Sequence, residues 1–247
     1  MDDLSSAGSF VVLGATGAVG SELARRLHAR GARLVLLARD PERLAAVAAP
    51  LGATTAVVDA RDPAALQEAL VETCAGRDVV GVAHCVGSLL LKPASRTSVD
   101  EWREVIDTNL TSAFGVAMAL PEILPRGGSV VFCSSVAADL GLPNHEAIAA
   151  AKAGLQGLAR ALSATHARRG IRCHCVAPAL VEAGMTKALL QRAGMREATG
   201  KQNPSGRIGT PADVARAIEF LLDPRSDWIS GQVLGVDGGF GVLRTLG

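Results

Sequence analysis

Glycines at positions 14, 17 and 20 punctuate the segment Gly14-Ala-Thr16-Gly17-Ala18-Val19-Gly20, which follows an aliphatic run at 10–13 and leads straight into Ser21-Glu-Leu-Ala-Arg-Arg-Leu. Glycines spaced this way between a strand and a helix permit a tight turn and let a pyrophosphate approach backbone N–H groups at a helix N-terminus. Dinucleotide binding is the expected chemistry, and a turn kept only as part of the fold is the competing reading. A second aliphatic run at 34–37 ends in Ala38-Arg39-Asp40. An acidic residue there would accept adenine-ribose hydroxyls, whereas a small Ala38 followed by the Arg39 guanidinium suits a 2′-phosphate. NADP(H) is therefore expected over NAD(H), with Asp40 capping a helix that starts at Pro41. The 247 residues include no tyrosine, which excludes any phenol acid or base.

The elements that must hold these residues alternate. Short aliphatic runs at 10–13, 34–37, 56–58, 79–82, 130–133, 171–176 and 232–236 are mostly continuous, as strands covered on both faces are. Between them apolar residues recur at helical spacing: Val19, Leu23 and Leu27; Leu66 and Leu70; Val105 and Leu110; Leu155, Leu158 and Leu162; Val214, Ile218 and Leu221. Asp62-Pro63, Ser98-x-x-Glu101 and Thr210-Pro-x-Asp213 carry helix-start signals. Strands alternating with helices predict right-handed βαβ units and a doubly wound parallel sheet, α/β class, in a single domain over 1–247. The polar segment at about 182–207 breaks the rhythm and is read as a substrate lid, with an ordinary surface helix as the alternative.

Composition narrows the function classes. With 25 Lys and Arg against 24 Asp and Glu, the net charge of +1 offers no field for nucleic acid or an anionic membrane surface. The five cysteines form no CxxC pair, which fits a reducing, cytoplasmic setting. No signal peptide, membrane span or metal site is expected. His174 lies between Cys173 and Cys175, and strand alternation sends it to the face opposite both thiols.

Taken together, these motifs resemble the short-chain dehydrogenase/reductase family along almost the whole chain. The resemblance implies a seven-stranded Rossmann sheet in a three-layer αβα sandwich, a nicotinamide dinucleotide, and a homodimer or homotetramer built through helices at about 99–121 and 144–169. Asp59, with Ala60 beside it, stands where the family places its adenine-contacting aspartate. Gly87 closes His84-Cys-Val-Gly87, where the family has Asn-Asn-Ala-Gly. Asn109 matches the structural and proton-relay asparagine, Ser135 the catalytic serine, and Lys152 the catalytic lysine, which the resemblance also implies as a ligand of the cofactor's nicotinamide ribose. Pro178 and Val181 match the loop after the sixth strand, and residues 209–239 resemble the family's C-terminal helix, last strand and closing loop.

The family pairs that lysine with a tyrosine four residues earlier, and here that position is Ile148. Isoleucine cannot move a proton. Ser135 could still donate to a substrate carbonyl oxygen, with Lys152 supplying charge and relaying protons through water to Asn109. An imine or conjugated enone would need the missing acid less than a plain ketone. His145, three residues before Ile148, is a candidate substitute acid or base, set against a role as a cap-region or exposed histidine behind an Asn144 helix cap. His84 is read as a hydrogen-bonded pocket-wall residue, with catalysis the lesser reading. Leu89, Leu90, Leu91, Leu140, Leu142, Leu180 and Met185 suggest an apolar pocket for a small or medium substrate. The alternative to an oxidoreductase is a catalytically inactive or non-redox dinucleotide-binding protein, acting as a sensor, subunit or scaffold.

Overall fold

Aliphatic β-branched runs flanked by glycine and polar turns become strands because such residues fit a pleated, buried surface. In the computed structural model, which describes residues 3–244, these are β1 (Ser9–Leu13), β2 (Arg33–Ala38), β3 (Thr54–Val57), β4 (Val79–His84), β5 (Gly128–Cys133), β6 (Ile171–Pro178) and β7 (Val233–Val236). They form one sheet in the order β3-β2-β1-β4-β5-β6-β7, with every pairing parallel. The helices are α1 (Ala18–Ala29), α2 (Pro41–Ala48), α3 (Pro63–Cys74), α4 (Val99–Ile106), α5 (Ser112–Ile123), α6 (Glu146–His166), α7 (Lys187–Leu190), α8 (Met195–Gln202) and α9 (Pro211–Leu222). This is the expected single-domain, three-layer Rossmann fold. The expectation of continuous apolar strands holds in the centre and fails at the rims: Val57 on β3 and Leu234 on β7 are exposed, because each edge strand has a neighbour on one side only.

Alternation along each central strand feeds two cores. Phe10 and Val12 pack with Leu23 and Leu27 of α1, Leu44 of α2, and Val214 and Ile218 of α9. Val11 and Leu13 pack on the other face with Leu66 and Leu70 of α3, Leu120 of α5 and Leu155 of α6. Each such leucine contributes about 1.5–3 kcal/mol through burial. The helix starts follow the predicted caps: the Asp40 carboxylate accepts from Arg43 N at 3.0 Å, Asp62 from Ala64 N and Ala65 N, and Ser98 and Thr210 each complete a capping box.

Two ionic features were not foreseen. Arg30, the residue just past α1, donates to Glu219 and Asp223 at the end of α9 at 3.0 and 2.9 Å, and Arg26 of α1 donates to Glu219 at 2.7 Å. Arg172 of β6 is buried and donates to the carbonyls of Leu221, Asp223, Ser226 and Ile229, so it satisfies the C-terminal end of α9. Both tie α9 to the rest of the domain.

Gly81 in β4 tests how rigid the first core is. A Cβ at this position would lie 2.6 Å from Phe10 Cδ1 and 3.3 Å from Leu222 Cδ2. Gly81→Ala is expected to lower unfolding free energy by about 1–3 kcal/mol through overpacking, read as a lower urea midpoint with an unchanged slope.

Candidate active site

The strand order reverses direction between β1 and β4, and the crevice beyond their carboxyl ends is where open α/β sheets bind ligands. Gly14 sits there at φ +72°, and a Cβ on it would come within 2.7 Å of the Cys85 carbonyl oxygen. A Cβ on Gly20 would meet Gly14 O at 2.4 Å. Gly17 is the residue before α1, whose start has no side-chain cap, so its first N–H groups face the crevice without an internal acceptor from a capping side chain. The turn is a cradle shaped for an anion at a helix N-terminus, and the residues fit a dinucleotide pyrophosphate.

Two clefts meet at this turn. One, of about 270 Å³, runs over the ends of β1, β2 and β3 and is lined by Gly14, Thr16, Gly17, Ala38, Arg39, Asp59, Ala60 and Gly87. Arg43 and Arg61 also line it, and the sequence reading had missed both. Arg43 is four residues after Arg39, in the first turn of α2, which is the signal that could have found it; its guanidinium donates to Thr16 O at 2.9 Å. Asp59 is not a free carboxylate: Arg61 Nη2 lies 2.6 Å from it and holds its pKa below the usual value.

The other cleft, of about 390 Å³, is lined by Gly17, Ala18, Val19, Gly87, Asn109, Ser135, His145, Ile148, Lys152, Pro178 and Val181. The structure therefore brings the predicted cofactor-side and catalytic residues to one crevice. Gly20 alone lines neither cleft; it acts one turn into α1 by letting the helix approach Gly14. Leu89, Leu91, Leu142, Leu180, Met185 and Leu189 make most of the remaining wall apolar.

Ser135 leads into a short 3₁₀ turn after β5. Its Oγ accepts from Ala137 N at 3.2 Å and donates to Pro178 O at a long 3.5 Å, a weak bond that a substrate oxygen could replace. Lys152 projects from α6 and is 6% exposed, and its Nζ donates to Cys133 O at 2.7 Å. No carboxylate pairs with it among the described residues, and burial lowers its pKa. Asn109 lies in a π-turn, Asp107–Thr111, between α4 and α5, a distortion often found at functional sites. Its Nδ2 donates to Val105 O and Ser88 Oγ, and its Oδ1 accepts from Ser88 N. Asn109 thus fixes the loop after Gly87 and makes none of these bonds to Lys152. Ser88, its partner, was not singled out in the sequence because a lone loop serine carries no pattern.

Two expectations about this region need correction. Asn144 does not cap α6: it adopts a left-handed φ of +63°, and His145 is the residue before the helix, without a side-chain cap bond. The His145 ring bonds Pro143 O through Nδ1 at 2.8 Å. His84 is no pocket-wall residue but is completely buried under α5. The Ser112 hydroxyl donates to Thr108 O, so His84 Nε2 must donate to Ser112 Oγ, leaving Nδ1 without a partner. Burial pushes its pKa down to about 3, which keeps it neutral. Ile148 is 3% exposed and sits with Val105, Ala147 and Ala151, so the position that a phenol would occupy is filled by hydrocarbon.

Residues 14–241 match the family model described as Enoyl-(Acyl carrier protein) reductase. The chain belongs to the short-chain dehydrogenase/reductase family. The 3-oxoacyl-[acyl-carrier-protein] reductase FabG of Escherichia coli is 33% identical over 236 residues, covering 93% of this chain and 95% of that one. The galactitol 2-dehydrogenase of Cereibacter sphaeroides is 33% identical over 240 residues, 94% of each. Among solved structures, a Burkholderia thailandensis oxidoreductase of the short-chain dehydrogenase/reductase family superposes with a TM-score of 0.86 at 32% identity, covering 94% of this chain and 92% of that one. A putative gluconate dehydrogenase from Agrobacterium tumefaciens reaches 0.90 at 28%, covering 96% of each. Among the described residues no helix is long and apolar enough to cross a membrane, and no group of three or more metal-ligating side chains is found.

The three bonds of Asn109 define what this short-chain dehydrogenase/reductase domain loses without it. Asn109→Ala leaves the Ser88 amide without its side-chain acceptor. It is expected to cost about 1–3 kcal/mol and to speed hydrogen exchange at Ser88 N, measured by amide exchange on the folded protein.

Proposed function

We propose that the protein is an NADP(H)-linked oxidoreductase that reduces a small or medium apolar carbonyl compound, with enones and imines favoured over plain ketones. The observation that carries this reading is the junction of the two clefts. A glycine-turn cleft flanked by Arg39 and Arg43 opens, past Gly87, into an apolar chamber whose polar groups include Ser135, Lys152 and His145. Arg39 and Arg43 would hold a 2′-phosphate, the N-terminus of α1 the pyrophosphate, and Pro178 and Val181 the nicotinamide side. When bound, the dinucleotide supplies a hydride. The description of the matching family model concerns an enoyl group, a conjugated carbonyl, which agrees with a site poor in acids.

The chain's own residues would act as follows. Ser135 offers its hydroxyl to the substrate oxygen, and Lys152 and water replace the missing phenol as the proton source. His145 contributes if its ring leaves Pro143 O. Met185 and Leu189 line the chamber from the segment at 182–207, which includes α7 and α8 and would act as the substrate lid. Homodimer or homotetramer formation is supported by the exposed aromatic side chains Trp102 of α4, Phe114 of α5 and Phe220 of α9. A second reading, binding without turnover, draws on Ile148 alone. Nicotinamide binding with no substrate-dependent change in absorbance at 340 nm would favour it.

NADPH is expected to bind about tenfold or more tightly than NADH, and Arg39→Ala to remove about 1.4 kcal/mol of NADPH binding while leaving NADH unchanged. Parallel titrations by nicotinamide fluorescence and calorimetry measure both, and equal affinities would remove the phosphate assignment. Ile148→Tyr places a phenol one helical turn before Lys152. Its expected effect is to raise turnover of an unactivated ketone about 10²-fold, assayed at 340 nm beside an enone whose rate changes little.

A further inference from the structure

We propose that Cys85 and Cys133 form a paired-thiol modification site on the wall of the apolar chamber, closed by hydroperoxides into a disulfide between the ends of β4 and β5. Of the five free cysteines, Cys74, Cys173 and Cys175 are buried, and these two alone are partly exposed. Both line the larger cleft, so a small oxidant entering the chamber meets both.

Register places the two thiols side by side. In the parallel pairing of β4 and β5, Ala83 stands opposite Val131 and His84 opposite Phe132, so one step further Cys85 stands opposite Cys133. Side chains alternate between the faces of a sheet. Cys85 therefore follows Ala83, and Cys133 follows Val131, onto one face, where all four pack with the core of α1, α2 and α9. Neighbouring strands lie about 4.7–4.9 Å apart, inside the range of about 4.4–6.8 Å between Cα atoms that a disulfide spans. The paired ladder stops at His84 and Phe132, and the Cys133 carbonyl accepts from Lys152 Nζ at 2.7 Å, so both strand ends can adjust to a bridge. The remaining thiols are less well placed. Cys173 and Cys175 lie two residues apart on one strand, at the upper limit of that range, and face the core on the α6 side. Cys74 ends α3.

Burial holds the thiols of Cys85 and Cys133 above the ordinary cysteine pKa, so closeness and access select them, not acidity. One sulfur attacks the O–O bond of the hydroperoxide. That bond breaks, an alcohol leaves (water when the oxidant is hydrogen peroxide), and the sulfur becomes a sulfenic acid. The second sulfur then attacks the first, the S–O bond breaks, and the departing hydroxide takes the second thiol proton to leave as water. Each sulfur is oxidised by one electron and the peroxide is reduced by two. Exchange with an added thiol reverses the closure. The bridge sits where the glycine-turn cleft and the apolar chamber meet, because Cys85 lines both.

The test uses the reduced full chain without dinucleotide, hydrogen peroxide as oxidant, and N-ethylmaleimide to block the remaining thiols after unfolding. Non-reducing peptide mapping then reads the linkage. The expected product is one linked peptide joining Cys85 to Cys133, lost on treatment with dithiothreitol, with Cys74, Cys173 and Cys175 still blocked by maleimide. Cys85→Ala and Cys133→Ala are each expected to abolish that peptide and to slow thiol loss about tenfold, with the circular-dichroism spectrum of the folded chain retained. Mapping of the unsubstituted chain decides the inference by itself if a variant fails to fold. A bridge between Cys173 and Cys175 in preference overturns it. So does oxidation of Cys85 and Cys133 singly to sulfinic acids, or the absence of any linked peptide under excess peroxide.

Discussion

The closeness of two backbones, at Gly14 beside the end of β4, is the constraint on which the rest of the site depends. Gly14 has a left-handed φ and no space for a Cβ against the Cys85 carbonyl, and Gly20 brings α1 onto Gly14 with equally little room. These contacts decide where the N-terminus of α1 points. They also bring the loop after β4, with Gly87 and Ser88, beside the cradle, and that loop is the wall shared by both clefts. Asn109 locks it from the opposite side through Ser88. The glycine cradle and the apolar chamber become neighbours because one turn cannot carry side chains.

The second constraint is electrostatic. Burying an ammonium without a counter-charge is costly, and around Lys152 there are one carbonyl, three protonated thiols and a neutral imidazole. The most buried ion pairs among the described residues lie elsewhere, in the clamp of Arg26 and Arg30 on Glu219 and Asp223 between α1 and α9. Stability and chemistry are thus separated in space: α9 is held by charges, while the chamber is kept almost free of them.

Much of this was legible in the sequence, for identifiable reasons. Strand and helix alternation, the caps at Asp40, Asp62, Ser98 and Thr210, and the glycine turn all depend on local chemistry, which one chain segment carries complete. The same holds for His174, whose separation from Cys173 and Cys175 follows from strand alternation alone: both thiols lie in the core on the α6 side, and His174 turns toward Arg172. What failed to show depends on partners distant in sequence. His84 reads as a wall residue in the sequence, and it is Ser112 of α5, far along the chain, that covers it. Arg172 carried no signal at all, since its four carbonyl acceptors come from residues 221–229.

Asn144 and His145 show how a short-range reading can misplace a candidate catalyst. Asn is a good cap and equally at home at positive φ, and two residues of sequence do not choose between these. The left-handed turn at Asn144 shifts the start of α6 by one residue and leaves His145 with helix-start geometry, its ring drawn back onto Pro143 O. Ile148 and Lys152, deeper in α6, are insensitive to that shift because the packing of Ala147, Ile148 and Ala151 against Val105 sets the helix's rotation. That packing also fixes where the lysine sits. The hydrocarbon of Ile148 keeps α6 seated, and the seated helix keeps Nζ on Cys133 O beside the chamber that Lys152 lines.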